Sequence, residues 1–124
     1  MKRALIGTLV FGAALAVSSP MFAHHSISAE FDTTKPVTFT GTVKQVDFGN
    51  PHIYTHVETK DEAGKTVVYE VEGGSPNDLA RRGFSKTSLK IGEMVTVKGI
   101  RAKTPTSMRV GQATMTKADG SPVF

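Results

Sequence analysis

Four histidines carry most of the chemistry this sequence can do. His24 and His25 stand side by side, and His52 and His56 are four residues apart, two periods of strand alternation, on a shared parity. A neutral imidazole nitrogen is a good ligand for copper and zinc. A chain cut before His24 also offers a free α-amine there, with a pKa of about 7.7 to 8.0. Amine and imidazole of that one residue can chelate a copper ion, and a third nitrogen from His25 or His52 would complete a tight site. His24, His25 and His52 are therefore the candidate metal set, and copper the candidate ion. On a strand, His52 and His56 lie roughly 13 Å apart at about 3.3 Å per residue, so they cannot share one ion without a bulge or an intervening ligand. Either could instead pair with Glu70 or Glu72. The plainer alternative is structural: terminal residues are usually disordered unless tied down, and an imidazole in an Asn-Pro-His turn can simply hydrogen-bond the loop.

The remaining catalytic inventory is thin. Glu70 and Glu72 are a carboxylate pair roughly 7 Å apart along a strand, within the range some glycosidases use, yet nothing in the pattern deepens a pocket around them. Gly73-Gly74-Ser75 lacks the lysine of a phosphate loop, and there is no nucleophile elbow. Arg81 and Arg82 could hold an anion or simply cap a helix. Met94, Met108 and Met115 are spaced as core filler. The chain has no cysteine, so thiolate metal sites and disulfides are excluded. A non-enzymatic protein is expected.

The elements that must position these residues are mostly strands. Val37 to Phe48 has strand composition, with Gly41 inside it and a change of inward parity that suggests a bend. Gly49-Asn50-Pro51 is turn chemistry. His52 to Thr59 alternates Ile53, Thr55 and Val57 against His52, Tyr54, His56 and Glu58. Asp61 to Gly64 reads as a hairpin loop, and Thr66 to Glu72 as the third strand. Ser75 is a plausible N-cap with Pro76 at the first helical position, predicting a helix from Pro76 to Arg82 that stops at Gly83. Met94 to Ile100 and Met108 to Lys117 are the last two strands. Three strands, a short helix and two strands predict an all-β domain, a small five-stranded OB-fold-like barrel, with an open β-sandwich as the alternative. Ligands of such a fold meet strands two and three and their flanking loops, which puts Asn50, Tyr54, His56, Glu70 and Glu72 on the candidate ligand face.

The N-terminus reads as a signal peptide over residues 1–23. Lys2 and Arg3 precede an apolar run from Ala4 to Val17, then Ser18-Ser19-Pro20 and Met21-Phe22-Ala23, with cleavage expected between Ala23 and His24. The apolar run is short for a bilayer-spanning helix, so no stable membrane insertion is expected after cleavage. The whole chain has 15 basic and 11 acidic residues. Without the leader's two basic residues, thirteen remain against eleven, a formal charge of +2. Export and a charge this near neutral argue against nucleic acid as a partner. Residues 24–36 show no sustained period and read as an N-terminal arm, leaving 37–124 as the barrel domain.

Ala23-His24-His25-Ser26, Thr40-Gly41-Thr42-Val43, Asn50-Pro51-His52, Glu72-Gly73-Gly74-Ser75-Pro76-Asn77 and Arg81-Arg82-Gly83-Phe84 follow one another in order. In this series the chain resembles a family of small exported bacterial proteins defined only as a domain of unknown function (DUF6152), over nearly all of the mature sequence. The resemblance implies the leader, a start at His24 and a single domain, and implies no activity. The expectation is an exported, periplasmic binding module for a small ligand or an exported protein partner. Copper binding or delivery through His24 is its rival.

Overall fold

The computed structural model describes residues 27–124. A single helical turn, α1 (Ile27–Glu30), leads directly into a long strand, β1 (Phe31–Asp47), followed by β2 (Tyr54–Lys60) and β3 (Thr66–Glu72). A second short helix, α2 (Pro76–Arg81), precedes β4 (Met94–Ala102) and β5 (Arg109–Lys117). The strands form one sheet in the order β1-β2-β3-β5-β4, closed by pairing of β4 with β1. All pairs are antiparallel except β3 with β5. One sheet closed in a ring is the arrangement expected of an OB-fold-like domain and rules out two stacked sheets. The sequence led to one helix; α1 is the second, a single turn too short to leave a periodic signature.

Strand alternation set the core as expected. Val43, Val57, Val71, Val95, Val97 and Val110 are completely buried, together with Ile53 and Met115. Leu79 of α2 belongs to the same cluster. Ser75 caps α2, its Oγ accepting from the Asp78 N–H at 3.2 Å, with Pro76 in the first turn. Met94 departs from the expected core role: it is exposed, and its sulfur accepts from the Thr42 hydroxyl.

Two features of β1 differ from the sequence reading. First, the strand begins at Phe31, inside the segment read as an arm. Phe31 is 3% exposed and packs with Ile100 and Ala102 in a small cluster outside the ring. It pairs with Ala102, and the register then slips before Pro36 resumes against Ile100. One apolar residue followed by an irregular stretch leaves no period to read. Second, the change of inward parity after Val43 is matched by an irregularity opposite β2 between Val43 and Gln45, but Gly41 is not its site. Gly41 is needed for closeness: a Cβ there would stand 2.8 Å from Val57 Cγ1 and closer still to the Glu58 carbonyl. At this point β1 passes from pairing with β4 to pairing with β2, as Thr42 faces both Met94 and Glu58.

Candidate functional site

The Asn50-Pro51-His52 turn and the Gly73-Gly74 break meet at one end of the β2–β3 ladder. Ile53 N–H donates to the Gly74 carbonyl at 3.0 Å, and Gly73 N–H donates to the Ile53 carbonyl at 2.8 Å. Gly73 and Gly74 fit there because Leu79 and, beside Gly73, the Phe124 ring lie against their backbone. The Asn50–Pro51 bond is cis. This pairing carries His52 to the Gly73 carbonyl, 3.2 Å from Nδ1, and sets its Nε2 3.3 Å from Glu72 Oε1.

That geometry fixes the chemistry of the imidazole. A carbonyl can only accept, so Nδ1 carries the proton, and in the neutral ring Nε2 is left with its lone pair. Nε2 then faces a carboxylate oxygen, which is also an acceptor. Two acceptors at this separation need a proton or a cation between them. Burial, foremost, raises the Glu72 carboxyl above its usual range, with the pull of His52 acting the other way.

His52 and Glu72 lie on the wall of a concavity of about 290 Å³. Ile27, Phe31, Leu79 and Phe124 form its apolar side, and Arg82 and Gln112 add polar groups. Gln112 has a left-handed backbone, φ 46°, where β5 carries an extra residue opposite β4. The last strand is continued by the chain end, since Val123 N–H donates to the Met115 carbonyl at 2.8 Å. This return brings Phe124 to the concavity.

The expected ligand face divides in two. Tyr54 is opposite Glu72 and His56 is opposite Glu70, as β2–β3 register requires. Tyr54 meets the His52 ring edge-on at 6.4 Å between centroids, and the Arg109 guanidinium lies over the Tyr54 ring, 5.1 Å from its centre. Burial, then the Glu72 charge, raises the Tyr54 phenol further. Arg109 donates to Glu30 at 3.0 Å and to Glu70 at 3.5 Å. A row of polar groups thus runs from His52 through Glu72, Tyr54 and Arg109 to Glu70 and Glu30. His56 is drawn away from it, bonded to Asp47 at 2.7 Å. Hydrogen bonds from Gln45 and then His56 hold the Asp47 carboxyl below its usual range. Asn50 is exposed in the turn.

Glu70 and Glu72 are therefore engaged by different groups, the Arg109 guanidinium and the His52 imidazole. The carboxylate pair is not set up as a shared acid and base. His24 and His25 lie outside the described residues, as does the leader. Among the described residues no three metal-ligating side chains converge, and no helix is long and apolar enough to cross a membrane. Sequence reasoning missed Arg109 and Glu30, which are 79 positions apart. Only the parallel register that sets Arg109 beside Glu70 places them together.

Fold and site together define a small closed β domain with one polar-and-apolar concavity at the end of its β2–β3 ladder. The chain belongs to the family described as "Family of unknown function (DUF6152)", whose model matches residues 13–112. No curated protein and no solved structure matches it.

Proposed function

We propose that this chain is an exported, non-enzymatic binding module and that its site is the His52–Glu72 concavity, with copper as the ligand. The observation that carries the reading is the 3.3 Å approach of His52 Nε2 to Glu72 Oε1, a pair that a metal ion can bridge in place of a shared proton. Ligands about 2.0–2.2 Å from one metal ion stand roughly 2.8–3.6 Å from each other at square-planar to tetrahedral angles. The His52 Nδ1 contact to a backbone carbonyl is also the support that metal-binding imidazoles commonly have. Two protein ligands do not make a tight site, and in this reading the chain start would supply the remaining donors. Ile27 lines the same concavity, and His25 is two residues before it, a reach of at most about 7 Å of chain. Cleavage before His24 would supply the α-amine as well.

The test uses protein beginning at His24, titrated calorimetrically with copper and with zinc. One-to-one binding that His52→Ala and His24→Ala each weaken by about tenfold or more supports the reading, since losing even a group that only orients a metal ligand typically costs 10–100-fold. Binding equal in all three proteins counts against it. Export is tested separately, by expressing the whole chain in a Gram-negative host and finding the mature mass in the periplasmic fraction. A mass starting at His24 is expected, and a cytoplasmic, uncut chain contradicts it.

A second reading has its own support. Ile27, Phe31, Leu79 and Phe124 make half of the concavity apolar, which suits a small organic ligand or an inserted side chain of an exported partner. It predicts binding that is indifferent to the leader and to His24→Ala.

A further inference from the structure

A second concavity, of about 580 Å³, opens between the first half of β1, the β2–β3 hairpin and Arg101 of β4. It shares no lining residue with the His52–Glu72 concavity. Its floor is aromatic: the Phe39 and Tyr69 rings are 4.5 Å apart between centroids and tilted by 30°. Val37 and Pro36 extend the apolar wall.

Arg101 stands over this floor in an unusual state. On β4 it follows Val95, Val97 and Gly99 in parity, so its side chain is directed as the core residues are, while Ile100 and Ala102 pack outward with Phe31. Its guanidinium lies 5.0 Å from the Tyr69 ring centre and donates to the Tyr69 hydroxyl at 3.0 Å. Its Nε is buried with no hydrogen-bond partner. Among the described residues no carboxylate forms an ion pair with it. Arg81 and Arg109, in contrast, each have a carboxylate. A part-buried cation with only a phenol and a ring as partners is incompletely compensated.

The charged groups around the opening are Lys60, Asp61 and Glu62. Lys60 donates to the Thr66 hydroxyl, and the Asp61 carboxylate accepts from the Lys65 N–H. Neither acid reaches Arg101. The planar guanidinium fork suits a carboxylate held by two parallel N–H bonds, and the ring floor suits a flat apolar body.

We infer that this mouth is a binding site for an aromatic carboxylate, with Arg101 taking the carboxylate and Phe39 and Tyr69 supporting the ring. The site is independent of the copper reading, and neither falls with the other.

The experiment is a titration of ¹⁵N-labelled protein beginning at His24 with 2-naphthoate, in chelator, followed by amide and arginine Nε–H resonances. The neutral 2-naphthamide and the ringless acetate are run beside it. Saturable shifts at Phe39, Lys60, Tyr69 and the Arg101 Nε–H are expected. Replacing the carboxylate by the amide, or Arg101 by Gln, should weaken binding by about tenfold or more, the value of a charge-assisted hydrogen bond. Acetate should shift little. No saturable shift at the mouth, shifts confined to His52 and Glu72, or equal binding of naphthoate and naphthamide would overturn the proposal. The naphthoate and naphthamide comparison is made on the unaltered protein, so it decides the matter even if Arg101→Gln fails to fold.

Discussion

At the scale of single residues, Glu72 is where environment and charge most directly oppose each other. Its folded pKa lies above the value of 4.5 taken for a free glutamate. The folded chain therefore holds this proton more tightly than the unfolded one. Native stability falls as pH rises from about that free value through the folded pKa, and stays lower above it. Glu72→Gln removes the dependence. In the presence of a chelator, Glu72→Gln is expected to raise the melting temperature at pH 7 and to leave it unchanged below pH 4, measured by thermal unfolding across that range. A loss at pH 7 would mean that the ionised carboxylate is a net stabiliser. The histidines were legible in sequence as chemistry-bearing residues, and His52 paired with Glu72 was among the pairings strand geometry allows. What the sequence did not show was the partner of each. The Gly73 carbonyl that fixes the His52 tautomer belongs to a break whose path depends on Leu79 and Phe124 packing against it. Asp47, which takes His56, is set by the slip in β1 between Val43 and Gln45.

At the scale of elements, β1 organises the molecule, and two of its residues can be tested. Gly41→Ala adds a methyl group against the Glu58 backbone and Val57. Backbone cannot yield as a flexible side-chain end would, so a destabilisation of roughly 1–3 kcal/mol is expected by urea unfolding. A neutral result would mean that β1 and β2 separate there at little cost. Phe31→Ala opens the small outer cluster with Ile100 and Ala102, and a cost of about 3–5 kcal/mol is expected for a fully buried aromatic. Its ring also lies where a Cβ of Gly111 would be, 2.6–2.7 Å away, so β1 and β5 are joined through it. A cost near zero would restore the reading of residues before Val37 as an arm. Strand order, the turn at Asp61 to Gly64 and the Ser75-Pro76 helix start were legible because each has a local cause: alternation, turn residues or a cap. The first turns of chain were not, because α1 and Phe31 are held by distant groups. Glu30 is anchored by Arg109 and by its carbonyl accepting from Lys103 N–H at 2.9 Å. The Lys103 ammonium donates to the Ser28 carbonyl.

At the scale of the whole molecule, closing one sheet stabilises a cysteine-free domain by leaving few unpaired strand edges. The closure is uneven. β3 and β5 pair through only Glu70 with Arg109 and Val71 with Val110, whereas β1 and β4 pair along most of β4. Amides at the β3–β5 seam are therefore expected to exchange with deuterium faster than those of the β1–β4 ladder under native conditions. Equal protection would show that the ring opens only as a unit. The same seam borders the polar row from His52 to Glu30, so ligand at that face would slow exchange there.

Under the copper proposal, the His52–Glu72 concavity and the chain start hold one copper ion together. The most direct measurement is the electron paramagnetic resonance spectrum of one equivalent of Cu(II) on protein beginning at His24, compared with His52→Ala. Nitrogen coupling is expected in the first and loss of one coupled nitrogen in the second. Identical spectra would show that the ion sits on the chain start alone and would contradict the proposal.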